Sequence, residues 1–263
     1  MELHIEDDGE GPAVVLLHGL TATHRYVVMG SRSLERSGLR VIAYDARGHG
    51  ASDPAPEPAA YTYADLAHDL LALLDSRGIE RAVLAGASMG AHTALRLALE
   101  RPARVAGLVL ITPAYDPDDH GDEASLRRWD ALSDGLREGG VEGFVSAYGE
   151  PAGDPRWRET LLRVIRQRLS AHEHPDAVAD ALRAVPRSRP FDSLEVLTGI
   201  DVPAVVVADR DEPDPGHPLA VGEAYAQLIP GARLVVEDEG QSPIAWQGAQ
   251  LSRIIAEVAG AGG

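Results

Sequence analysis

Short apolar runs punctuate the chain at Ala13–Leu17, Arg40–Tyr44, Ala82–Ala85, Val105–Ile111, Ala204–Ala208 and Arg233–Val236. Each is mostly Val, Ile, Leu or Ala and is bounded by turn residues, the pattern of a strand buried on both faces. Between them the spacing changes from two to about 3.6. Tyr63–Arg77 places Leu66, Leu70, Leu71, Leu73 and Leu74 on one side of a helix, and Ala91–Leu99 and Pro218–Leu228 are helix-like too. Strands alternating with helices predict an α/β protein: a mostly parallel sheet with helices on both faces. His4–Glu6 is expected as an extra antiparallel edge strand.

The alternation stops between Pro113 and Pro190. That interval has no strand-like run. It opens on the polar stretch AYDPDDHGDEAS and continues as helical pieces around Leu126–Glu138, Val141–Tyr148, Arg158–Leu169 and Asp176–Val185. The expected organisation is a core from residues 1–112 and 191–263, with 113–190 as a helical cap inserted between two strands. Trp129, Phe144, Tyr148 and Trp157 either line a pocket beneath it or, more simply, pack the cap itself.

Composition narrows the chemistry. The 263 residues are 44% hydrophobic, enough for one sizeable core. A formal net charge of -17 disfavours nucleic acid and anionic membrane surfaces as partners, leaving a small-molecule substrate. The chain has no cysteine and no lysine, which excludes thiolate nucleophiles, disulfides and Schiff-base chemistry on this chain. The acidic start MELHIEDDGEGP has no apolar signal core and no run reaches membrane-spanning length, so a cytoplasmic protein is expected.

The sharpest chemical signal is VLAGASMGAH, which sets Gly86-Ala87-Ser88-Met89-Gly90 between a predicted strand and a predicted helix. This is G-x-S-x-G in the context that gives it meaning. Glycines allow a tight, strained strand-to-helix turn that lifts the Ser88 hydroxyl above the sheet, and the Met89 N–H faces the place where an oxyanion would develop.

Four further stretches join this one in a resemblance. VVLLHGL, VIAYDARGHGASD, IDVPAVVVADRD and GARLVVEDEGQSP, together with the elbow, resemble the α/β-hydrolase superfamily in its compact capped esterase, lactonase and C–C-hydrolase branch. The resemblance implies that Leu20, after His18-Gly19, supplies the second oxyanion N–H. It places Asp45, Arg47, Gly48, Gly50 and Ser52 on the D-x-R-G-x-G-x-S segment. Triad order in this fold is serine, acid, histidine. Of Asp209, Asp211, Glu212 and Asp214, the pattern G-x-D selects Asp211 as the acid, with Asp209 the lesser choice. The frame that should hold the base is Gly240-Gln241-Ser242-Pro243, with Gln241 where the family keeps its histidine.

A glutamine amide donates and accepts hydrogen bonds but takes no proton near neutral pH. Loss of a triad histidine costs about 10⁶ in turnover in a well-studied serine protease. Other histidines are therefore weighed. His92 is expected beneath the elbow and His49 in the R-G-x-G loop as structural residues. His24, His120 and His217 are candidates to reach Ser88 from an unusual direction. His4, His68, His172 and His174 are expected on the surface, and the pair His172 and His174 is too sparse for a metal site. The expectation is a serine-nucleophile hydrolase of a small ester-like or related carbonyl substrate, acting through Ser88 with Asp211 and Gln241 and needing no cofactor or metal. The alternatives are a small-molecule-binding protein that has lost turnover, or an engineered His-to-Gln inactive form of such a hydrolase.

Overall fold

A computed structural model describes residues 1–151, 155–210, 216–238 and 246–261. Among the described residues seven strands form one sheet: β1 Ile5–Asp8, β2 Ala13–Leu17, β3 Arg40–Tyr44, β4 Ala82–Ala87, β5 Val105–Ile111, β6 Ala204–Ala208 and β7 Arg233–Val236. Their spatial order is β1-β3-β2-β4-β5-β6-β7. All neighbours are parallel except the edge strand β1, which runs antiparallel along β3 with Ile5 opposite Tyr44. The predicted α/β class and antiparallel edge are therefore present, with β1 shifted toward Asp8.

Helices cover both faces: α1 Ser33–Arg36, α2 Tyr63–Ser76, α3 Met89–Glu100, α4 Glu123–Tyr148, α5 Arg158–Leu169, α6 Pro175–Ala184, α7 Leu219–Leu228 and α8 Gly248–Ala261. Side chains alternate across a strand, and here both sides are buried. Val15, Leu17, Ile42, Tyr44, Leu84, Leu108, Leu110 and Val206 pack with α2, α3 and α7. Val14, Leu16, Val41, Val83, Val109, Val205 and Val207 pack on the other side with Leu34 of α1 and with Leu251, Ile254, Ile255 and Val258 of α8. Full burial of each such side chain contributes roughly 1.5–3 kcal/mol. Helix α8 carries its apolar residues at helical spacing, so its signal was present in the sequence although it was not among the helices expected there.

Local chemistry sets the ends. Thr62 caps α2 in a reciprocal box, its hydroxyl accepting from the Asp65 N–H while Asp65 accepts from the Thr62 N–H. Between β5 and β6 the described residues form only helical segments and loops. Helix α4 breaks at Gly140, whose φ of 60° and ψ of -147° suit glycine, so the two pieces expected on either side are two arms. The arms meet backbone to backbone: a Cβ on Gly143 would lie 2.1 Å from the Gly135 carbonyl oxygen. The segment has its own small core of Leu132, Leu136, Phe144, Leu169, Val178, Ala179 and Leu182, with Leu20 from the loop after β2 packed against it. Phe144 thus packs the helical segment, stacked on Tyr148 with ring centroids 6.2 Å apart.

Candidate active site

The elbow is built by close approach. A Cβ on Gly86 would stand 2.3 Å from the Gly90 carbonyl, and one on Gly90 would stand 2.2 Å from the Leu17 carbonyl oxygen. Only glycine permits strand β4 to turn straight into α3 against β2. Between them Ser88 adopts φ 49° and ψ -111°, a costly conformation for a residue with a side chain. Its N–H donates to the Ile111 carbonyl at 2.9 Å, and its carbonyl accepts the first α3 bond, from His92, at 3.1 Å.

The Ser88 hydroxyl has a partner. His217 Nε2 lies 3.0 Å from Ser88 Oγ. His217 follows β6 and stands just before α7, whose cap is Pro218. Sequence reasoning looked for a proton acceptor at position 241 and found an amide. The structure brings an imidazole to the serine from the loop after β6 instead, 129 positions away in sequence. Of the three histidines weighed for an unusual approach, His217 is the one joined to Ser88. His24 is bonded to Asp45, and His120 sets its ring against Tyr115 at 5.7 Å. Asp211 and Gln241 lie outside the described residues. The other candidate acid, Asp209, is buried and accepts from Trp246 Nε1.

His92 sits beneath the elbow, as expected, and is buried. Its Nε2 accepts from the N–H groups of Ala114 and Tyr115, both at 3.2 Å, which leaves the proton on Nδ1 to donate to Tyr63 Oη at 3.1 Å. Burial, reinforced by nearby His217, pushes its pKa down to about 3. His92 is a neutral strut under the loop that follows β5.

The loop carrying Leu20 is held at several points. Gly19 lies against the elbow: a Cβ there would be 3.6 Å from Ser88 Cβ. His18 Nδ1 donates to the Gly19 carbonyl at 2.8 Å, and its Nε2 accepts from the Ala46 N–H at 2.9 Å. Burial drives the His18 pKa down to about 4, so the ring is neutral in the tautomer these bonds require. His172, expected on the surface, is instead a tie between loops. Its Nε2 donates to the Thr21 carbonyl at 3.0 Å, and its Nδ1 accepts from the Gly50 N–H at 2.8 Å. His172 therefore links the helical segment to both the Leu20 loop and the R-G-x-G loop.

That second loop has its own logic. A Cβ on Gly50 would lie 2.0 Å from Asp45 Oδ2, so the residue must be glycine. Ser52 Oγ donates to the Asp45 carbonyl at 2.6 Å. Arg47 forks onto buried Asp69, with Nε to Oδ2 at 2.6 Å and Nη2 to Oδ1 at 2.7 Å.

A serine on a strained strand-to-helix turn, an imidazole at hydrogen-bond distance, and a glycine-led loop against the turn together form a site with relatives. The model of the alpha/beta hydrolase fold family matches residues 12–191. The chain is 35% identical to "Putative carbamate hydrolase RutD" of Variovorax paradoxus over 81% of its length and 79% of that protein. It is 32% identical to a 2-hydroxy-6-oxononadienedioate/2-hydroxy-6-oxononatrienedioate hydrolase of Pseudomonas putida, over 90% of this chain and 83% of that one. In three dimensions it is similar to a thermophilic esterase from Thermogutta terrifontis, with TM-score 0.78, 29% identity and coverage of 97% and 92%. It is likewise similar to the enol-lactonase of Burkholderia xenovorans, with TM-score 0.74, 26% identity and coverage of 97% and 95%. The chain belongs to the α/β-hydrolase fold family and is a hydrolase of that fold.

Proposed function

We propose that this protein hydrolyses a small ester-like or related carbonyl substrate through an acyl-enzyme on Ser88, with His217 as general base. The observation that carries the reading is the 3.0 Å approach of His217 Nε2 to Ser88 Oγ at a strained elbow. As Oγ attacks the acyl carbon, Nε2 takes its proton. The N–H groups of Leu20 and Met89 receive the negative charge on the carbonyl oxygen. Collapse of the intermediate breaks the bond to the leaving group, which takes the proton back from His217. A water, deprotonated by His217, then attacks the acyl carbon; the bond to Ser88 Oγ breaks, His217 returns the proton to Oγ, and the acid leaves. Asp211 supplies the carboxylate that orients His217, which keeps the order serine, acid, histidine. Gln241 contributes a neutral amide where the family keeps its histidine. Residues 113–190 act as a cap whose packing against Leu20 and tie through His172 set the pocket roof. Support for the substrate class comes from relatives named as carbamate hydrolase, esterase and enol-lactonase, whose substrates share an acyl carbon.

The test is hydrolysis of p-nitrophenyl acetate, with fluorophosphonate labelling of the serine. Both are expected in the wild type and lost in Ser88→Ala and His217→Ala. Activity that survives Ser88→Ala overturns the nucleophile, and labelling that survives His217→Ala at full rate overturns the base.

A further inference from the structure

Where the Leu20 loop ends, His4, Glu6 and His24 converge. One ligand atom from each can be chosen so that all three lie within 4.8 Å of one another. Glu6 lies in edge strand β1 and His4 immediately precedes the strand, and both side chains are exposed. His24 comes from the short helical turn that closes the Leu20 loop. The rings of His4 and His24 stand 5.0 Å apart, and His24 Nε2 is 3.4 Å from Glu6 Oε1.

We propose that His4, Glu6 and His24 form a binding site for a divalent transition-metal ion of the zinc type, with Asp45 as the carboxylate behind His24. Two observations carry it beyond proximity. First, His24 is buried, and its Nε2 makes no well-formed hydrogen bond; its nearest charged group is the Glu6 carboxylate at 3.4 Å. A buried ring nitrogen so loosely paired has room for a stronger partner between it and Glu6. Second, the other ring nitrogen is already committed. His24 Nδ1 donates to Asp45 Oδ1 at 2.9 Å, and the His24 main-chain N–H donates to the same oxygen at 2.8 Å. That fixes a proton on Nδ1, so in the neutral ring the Nε2 lone pair points outward in the carboxylate–histidine–metal relay that orients metal ligands; the hydrogen bond to Asp45 holds the ring's pKa up, so a metal binds in competition with a proton.

The ligand set is chemically apt. Two imidazoles and one carboxylate suit zinc, copper or nickel, and three protein ligands leave a fourth position for water. Metal–ligand bonds of ~2.0–2.2 Å place ligand atoms about 3.3 Å apart in a tetrahedron. The His24–Glu6 separation already matches. His4, just before the edge strand, and Glu6, on it, are exposed side chains able to close the remaining gap. Asp45 itself is braced by Ala51 N–H on its other oxygen, so the deep half of the site is rigid and the outer half is adjustable. A metal here would clamp β1 to the turn that ends the Leu20 loop, outside the Ser88–His217 chemistry.

Untagged, chelator-treated protein is titrated with zinc chloride at pH 7.5 by calorimetry, and cobalt(II) is added separately to read visible absorption. The expected result is one saturating equivalent, a rise in Tm with zinc, and an intense cobalt spectrum of low coordination number. His4→Ala and Glu6→Gln, both at exposed positions, are expected to keep the apo Tm and weaken binding by roughly tenfold or more each. His68→Ala, an exposed histidine elsewhere, is expected to change nothing. Absence of a stoichiometric equivalent in the wild type overturns the site. So does unchanged affinity in the His4→Ala, Glu6→Gln double variant, which would mean that His24 and Glu6 share only a proton.

Discussion

His217 Nε2 stands 3.0 Å from Ser88 Oγ, and His217 precedes Gln241 by 24 positions in the sequence, with strand β7 between the two. The serine is thus served from the loop after β6. If that imidazole is the working base, His217→Ala reduces p-nitrophenyl ester turnover by a factor approaching 10⁶. Gln241→His in the wild-type background then changes turnover less than about tenfold, because a base is already present. In the His217→Ala background the same change recovers at least about a hundredfold, some 2.7 kcal/mol of transition-state stabilisation. Steady-state kinetics on the four proteins decide it, and a large gain from Gln241→His alone would return the base to position 241.

The strain at Ser88 has a stability consequence. Its φ of 49° and ψ of -111° suit glycine better than any residue with a Cβ. Ser88→Gly is expected to be more stable than Ser88→Ala by about 1 kcal/mol, read from urea midpoints. Equal midpoints would show that the turn carries no strain.

At Gly90 the prediction has the opposite sign. An added Cβ meets the Leu17 carbonyl oxygen at 2.2 Å, and that atom belongs to a central strand that cannot shift. Gly90→Ala is expected to cost about 3 kcal/mol or more, visible as a large fall in Tm. A near-neutral result would mean that α3 rides freely on the sheet.

The Arg47–Asp69 pair is buried on both sides. Asp69→Leu leaves a guanidinium without its carboxylate and is expected to cost roughly 3–5 kcal/mol, whereas the Arg47→Met, Asp69→Leu double variant costs much less. Chemical denaturation of both variants measures the difference. Equal losses would place the cost in packing rather than charge.

Acid should unfold this protein early. His18 and His92 are neutral when folded, with pKa values of about 4 and about 3, and both are held there first of all by burial. Unfolded, they take up protons near pH 6.5. Between those values the unfolded chain binds more protons than the folded one, so stability falls as pH drops from about 6.5 toward 3. Each ring contributes on the order of a few kcal/mol across that window. Tm measured from pH 7 to pH 4 is expected to fall steadily. A flat profile would mean that the two rings accept protons without disturbing their bonds.

The order of strands and helices was legible because each apolar run is short, pure and bounded by turn residues, and burial on both faces demands such runs. The elbow was legible because its geometry admits so few residues: Gly86 is required by its backbone contact with Gly90, and Gly90 by its contact with the Leu17 carbonyl, so both glycines stand within two positions of Ser88. Local constraint writes itself into local sequence. The partner of Ser88 was not legible in that way. His217 sits in DPGHP, a stretch with no periodicity and no spacing rule linking it to a serine 129 positions earlier. His172 likewise belongs to a helical segment, yet it bridges Thr21 and Gly50. Likewise His4 and His24 meet only because β1 lies antiparallel on β3, beside the turn after β2. Hydrogen bonds and metal ligands are satisfied in space, and a parallel sheet brings together loops whose distance along the chain carries no record of the meeting. The sequence by itself determined the scaffold and the strained serine turn; the tertiary packing of loops decided which imidazole reaches the serine, because that choice depends on where separate strand ends converge.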